Sequence, residues 1–77
     1  MPESDQLLDA RGLNCPLPIL RAKQSLNNMQ DGQVLRILAT DPGAMEDFQA
    51  FARQSGYLLL EAIEVDGEFH FLLQKTK

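Results

Sequence analysis

Apolar and polar positions follow two different rhythms along this chain, and the switches between them mark its elements. Residues Gln6–Ala10, with Leu7-Leu8 at their centre, predict a short first strand. From Pro16 onward Ile19, Ala22, Leu26 and Met29 recur at spacings of three and four. Arg21, Lys23, Gln24, Asn27 and Asn28 fill the other side, the pattern of an amphipathic helix. That helix is expected to end near Asp31-Gly32, where glycine supplies a left-handed cap. Residues 33–40 are rich in branched apolar side chains and read as a second strand. Asp41-Pro42 then looks like a helix start, with Asp as N-cap and Pro at the first helical position. In the helix that follows, Met45, Phe48, Phe51, Ala52 and Ser55 line one side, Glu46, Asp47, Gln49, Arg53 and Gln54 face water, and Gly56 ends it.

Two further strands, 57–65 and 68–75, are joined by Asp66-Gly67, a strong two-residue hairpin signal. This turn pairs Val65 with Glu68, Ile63 with His70 and Ala62 with Phe71. The expected core face carries Leu58, Leu60, Ala62, Phe69, Phe71 and Leu73. Leu59, Glu61, Ile63, His70, Leu72 and Gln74 fall on the other face. The order βαβαββ predicts an α/β two-layer sandwich: a four-stranded mixed sheet with both helices on one face. Residues 1–77 read as a single domain.

Bulk composition narrows the function classes. With 77 residues, the chain has room for only a modest core. Eleven acidic against seven basic residues give a net charge of −4, and no Lys/Arg cluster is visible, which argues against direct tight nucleic-acid binding. The single cysteine excludes an internal disulfide framework and points to a reducing, cytoplasmic setting. The first six residues lack the basic start and apolar stretch of a secretory signal. No apolar run approaches the roughly 20 residues of a membrane helix.

That single thiol, Cys15, precedes Pro16 and Pro18 in the run Gly12-Leu13-Asn14-Cys15-Pro16-Leu17-Pro18. Proline lacks the N–H that a first helical turn leaves unpaired, so it is tolerated there and damaging further in. Taking Cys15 as N-cap puts the prolines at the first and third helical positions and leaves the N–H groups of Leu17 and Ile19 free. A thiolate at this positive end of the helix dipole is stabilised, so the thiol pKa is expected to fall. Lone cysteines are more often small buried hydrophobes, but a buried thiol needs neither proline.

Other chemistry lacks its parts. A hydrolytic cysteine needs a base, and the one histidine, His70, is assigned to the sheet face away from the helices. One Cys and one His are too few for a structural zinc site, and no resolving cysteine is present for a dithiol cycle. A sulfur that accepts and donates a group, as a mixed disulfide or a persulfide, is what remains. Cys15 and Asp41-Pro42 both follow strands expected to be parallel, which sets them on one rim of the sheet. That rim, with Arg11, Asp41 and Lys23, is the expected docking surface. Solvated helix positions for Arg21 and Lys23, and a capping role for Asp41, are the plainer readings.

Residues 9–18 (DARGLNCPLP) resemble the D-x-x-G-x-x-C-P-x-P signature of the TusA/SirA-like sulfur-carrier family. The resemblance runs on through Arg21-Ala22-Lys23, Gly32-Gln33, residues 39–42 (ATDP) and 47–51 (DFQAF) to Gly56. It implies a cysteine-persulfide relay in which a cysteine desulfurase loads sulfur onto Cys15 and a downstream acceptor protein receives it. Gly12, Pro16 and Pro18 would shape the loop and Asp9 would anchor it. Family destinations include tRNA 2-thiouridine formation, molybdenum-cofactor maturation and sulfur oxidation. No cofactor or metal is implied, and a monomer or weak dimer is expected. Leu17 stands where tRNA-thiolation members tend to carry an acid, and Ala52 where several relatives have a second cysteine. The alternatives are a regulatory or interaction module with a structural Cys15, and a single-cysteine thiol sensor.

Overall fold

The computed structural model describes residues 4–76; residues 1–3 and 77, which include the start of the N-terminal segment considered above, lie outside them. The elements are β1 (Gln6–Ala10), α1 (Leu17–Asn27), β2 (Val34–Ala39), α2 (Ala44–Ser55), β3 (Leu58–Val65) and β4 (Glu68–Gln74). They form one four-stranded sheet in the order β1-β2-β4-β3. β1 and β2 are parallel, and the other neighbours are antiparallel. The expected α/β architecture and mixed sheet are what the chain adopts.

Both helices press their apolar sides onto one sheet face. Ala22 and Leu26 of α1 and Ala44 and Phe48 of α2 are buried against Leu35, Ile37, Ala39, Phe71 and Leu73. Phe48 and Phe71 meet at the centre, ring centroids 4.7 Å apart and tilted by 31°. An aromatic pair so placed adds to the burial of its area. Truncating Phe48 to alanine would cost about 3–5 kcal/mol, a large share of what a domain this small has in hand.

The helix ends need correction. α1 begins at Leu17 with Pro16 as N-cap, so Cys15 lies outside the helix and Pro18 sits in its first turn, buried. The N–H of Leu17 is not free, because it donates to the Asn14 carbonyl at 2.8 Å in the turn preceding the helix. α1 also stops at Asn27, short of Gly32. The carbonyls of Leu26 and Met29 accept from Lys75 Nζ at 2.6 and 2.8 Å, which satisfies the end without a glycine cap. α2 starts after Gly43 rather than at Asp41. Asp41 Oδ2 accepts from the Gly43 N–H at 3.1 Å, making a turn just ahead of the helix.

The hairpin register is as expected around its turn, with Val65 opposite Glu68, Ile63 opposite His70 and Ala62 opposite Phe71. Asp66 (φ 52°) and Gly67 (φ 82°) both adopt positive φ, which a two-residue turn of this twist requires. Further along β3 the register shifts between Leu59 and Glu61. Leu60 is therefore the extra residue of a bulge, and every side chain before it changes face. Leu59 packs on the core, whereas Leu58 and Leu60, expected inside, are half exposed. Leu72 lies on the open face but is buried, with Arg36 of β2 and Glu61 of β3 as its cross-strand neighbours. Long charged side chains of this kind cover apolar surface with their stems. Ser55, expected on the buried side of α2, is exposed.

Candidate functional site

Parallel pairing of β1 with β2 brings the loops that follow them to the same rim, as Ala10 lies opposite Ala39. One direct tie joins the loops. The Gly12 N–H donates to Thr40 Oγ1 at 2.9 Å. Gly12 holds φ at +83°, a left-handed conformation open to glycine at little cost. Leu13 then turns back onto the core, with its N–H on the Ala10 carbonyl at 3.2 Å. This tight reversal delivers Cys15 to the rim, where it is exposed and unpaired in any disulfide.

Asp9 anchors the loop's first residues. Its Oδ1 accepts from the Arg11 backbone N–H at 3.1 Å and from Arg11 Nε at 2.9 Å, while Oδ2 accepts from Nη2 at 2.9 Å. The guanidinium bonds hold the Asp9 carboxyl down at about 2. Arg11 also reaches Glu68 Oε2 at 3.3 Å on β4. The carboxylates raise its own pKa further. Arg11, read from the sequence as a docking cation, is thus engaged by two carboxylates of its own chain. His70 lies across the sheet from the helices, opposite Leu38 of β2, with Nε2 3.4 Å from Glu68 Oε1. It is not a partner for the thiol.

Asp47, in the first turn of α2, sets the electrostatics of Cys15. Its carboxylate lines the same depression as the thiol, and its hydrogen-bonding pull on the thiol proton is the main cause that raises the Cys15 pKa above the ordinary thiol value. Partial desolvation and the negative fields of Asp47 and Asp41 act in the same direction. The expected fall in thiol pKa is therefore reversed. The sulfur sits ahead of α1, the nearest helical N–H is already used, and the facing charges are carboxylates. Asp41 and Asp47 also converge at Gly43, where a Cβ would lie 3.2 Å from one carboxylate and 3.8 Å from the other. Asp47 escaped the sequence reading because it is assigned to the solvent side of α2. Its place in the first turn of a helix beginning on the thiol's rim is the signal that could have found it.

Between the helices a shallow groove of two depressions starts at the sulfur. The first, about 210 Å³, has Cys15, Pro16, Ile19, Asp47 and Phe51 among its walls. The second, about 230 Å³, extends past Leu26 to Tyr57. Lys23 and Phe51 border both. Lys23 Nζ stands 5.8 Å from the Phe51 ring centroid, within cation–π range. Lys23 is therefore brought to the thiol's groove, and Asp41 to its rim.

The family profile described as Sulfurtransferase TusA matches residues 6–75. The sulfur carrier protein TusA of Allochromatium vinosum is 60% identical over 76 residues, covering 99% of this chain and all of that one. A putative sulfur carrier protein of Neisseria meningitidis is 56% identical, over 92% of this chain and 96% of its own. Among solved structures, a SirA-like protein of Desulfitobacterium hafniense superposes with a TM-score of 0.80 at 28% identity, covering 94% of this chain and 99% of that one. With the profile spanning nearly all of the sandwich and the loop that presents Cys15, the chain belongs to the TusA family of sulfur carriers.

Proposed function

We propose that the chain carries sulfur as a persulfide on Cys15, received from a cysteine desulfurase and passed to a downstream acceptor protein. The observation that carries this reading is the exposed thiol at the mouth of the inter-helix groove. A protein-bound donor persulfide can reach such a sulfur without the carrier opening. In the loading step the Cys15 thiolate attacks the outer sulfur of the donor persulfide. A new S–S bond forms at Cys15 and the S–S bond within the donor breaks. The donor cysteine leaves as a thiolate and takes up the proton that Cys15 gave up. Delivery repeats the exchange, with the acceptor's thiolate attacking the outer sulfur on Cys15. No external oxidant or reductant enters either step.

Asp47 favours the protonated thiol over the thiolate in the resting carrier. Loading then begins when a docked partner displaces or neutralises that carboxylate. Tyr57, Phe51 and Lys23 give the partner a surface beyond the sulfur itself. The cytoplasm, where free thiols persist, is the compartment this chemistry fits. Thio-modification of tRNA, molybdenum-cofactor maturation and sulfur oxidation are the destinations to be separated by identifying the acceptor.

Intact mass spectrometry tests the reading. Reduced protein is incubated with a cysteine desulfurase, pyridoxal phosphate and cysteine, beside Cys15→Ser and a reaction without desulfurase. The expected result is one added sulfur on the unsubstituted chain alone, removed by reductant. An unchanged mass with several active desulfurases overturns the relay. Oxidation by peroxide without desulfurase-dependent loading would indicate the thiol sensor instead.

A further inference from the structure

The groove beyond the sulfur has a chemistry of its own. Its walls are mostly apolar, Ile19 and Phe51 near Cys15 and Leu26 and Tyr57 farther along, with Gln54, Asn27 and Ser55 as their uncharged polar members. In its middle stands one cation, Lys23. Among the described residues its ammonium has the Phe51 ring as a partner and no carboxylate at ion-pair distance. At the sulfur end the charge is opposite, from Asp47 and Asp41. The groove is thus negative at the thiol, mostly apolar along its walls and positive one step inward.

We propose that this groove takes an extended segment of a sulfur-exchange partner whose reacting cysteine is followed or preceded, three residues away, by an acidic residue that pairs with Lys23. The spacing follows from the helix. Lys23 lies six positions beyond Leu17, the first residue of α1, which is about 9 Å of helix axis. An extended chain covers that distance in about three residues. Charge complementarity fixes the rest of the pattern. An acid beside the partner's cysteine would meet Asp47 and Asp41, whereas an acid three residues off meets the ammonium.

The proposal rests on exchange at Cys15, and its test does not require sulfur loading. Short capped peptides, each with one cysteine, are equilibrated with the full chain in a thiol redox buffer, and the mixed disulfide with Cys15 is read by intact mass. The peptides carry Glu, Gln or Lys three residues from the cysteine, in both chain directions, or Glu directly beside it. In one direction the distant Glu is expected to favour the mixed disulfide at least fivefold over Lys at low ionic strength. Lys23→Gln should bring that ratio within twofold, while Arg21→Gln, an exposed cation on the same helix, should leave it in place. Moving Glu beside the cysteine should abolish the advantage. The chain's net charge of −4 opposes any anionic peptide, so a preference for Glu reports the groove rather than overall charge.

Equal exchange by Glu and Lys peptides in both directions overturns the proposal, as does a preference that survives Lys23→Gln. Desulfurase loading is measured in parallel. Normal loading without a peptide preference removes the groove proposal alone. A preference without loading removes the carrier reading and leaves the groove.

Discussion

The two strand-to-helix junctions on the rim use similar means for opposite ends. After β1 the chain turns through Gly12, meets Pro16 and enters α1 with no acid in its first turn. After β2 it turns through Asp41 and Pro42 and enters α2 with Glu46 and Asp47 in the first turn. The first junction presents a nucleophile without charge beside it in its own helix. The second supplies the charge. Each carboxylate has a local use, Asp41 in its turn and Asp47 at a dipole-favoured helix start, yet both reach the sulfur of the other junction. Reactivity at this rim is therefore a property of two loops held side by side, not of the Cys-Pro-Leu-Pro run alone.

The comparison can be broken most completely at Cys15. Cys15→Ser should abolish desulfurase-dependent mass gain while leaving the far-ultraviolet spectrum and melting temperature nearly unchanged, since the side chain is exposed. Next in size is Gly12→Ala, which forces a Cβ into a φ of +83°. No neighbour crowds that position, so the cost is backbone strain of about 1–2 kcal/mol, read as a lower denaturation midpoint.

Asp47→Asn sharpens the comparison without dismantling it. Removing the main cause that raises the thiol pKa lets thiolate appear at lower pH. Iodoacetamide alkylation near neutral pH should accelerate severalfold, and the pH–rate curve should move to lower pH. Asp41→Asn should move it the same way by less, since Asp41 contributes only through its field. An unshifted curve in both variants would show that the second junction does not govern the thiol. The smallest effect belongs to Arg11→Ala. The Asp9 carboxyl, at about 2 in the intact pair, should return by NMR titration to the ordinary Asp range. Because folding lowers this pKa, the pair's contribution is present above about pH 4 and is lost as pH falls towards 2.

Element order and hairpin phase were legible because each had a local cause. The spacing of Ala22 and Leu26 marks the buried side of α1, and Asp66-Gly67 fixes the turn. The bulge at Leu60 was not legible, since Leu58-Leu59-Leu60 is uniformly apolar and gives alternation no phase. The N-caps were missed by one or two residues, because Pro16 serves as cap rather than as first helical residue and because Asp41 bonds Gly43 in a turn that mimics a cap. The end of α1 was missed by four, because Lys75 closes it ahead of Gly32. The nucleophile could be read from its flanking prolines. Its protonation could not, because Asp47 lies 32 positions later and only the packing of α2 against α1 brings it near.

Lys75 has a consequence for how the chain is made. Its ammonium closes the end of α1, and its backbone donates to the Gln33 carbonyl at 2.9 Å and accepts from the Gly32 N–H at 2.7 Å. A nascent chain halted before this residue has translated the nucleophile and both helices, yet lacks the contact that fastens the first helix to the last strand. Synthesis thus orders the events: the nucleophile is made 60 residues before the contact that secures the helix behind it.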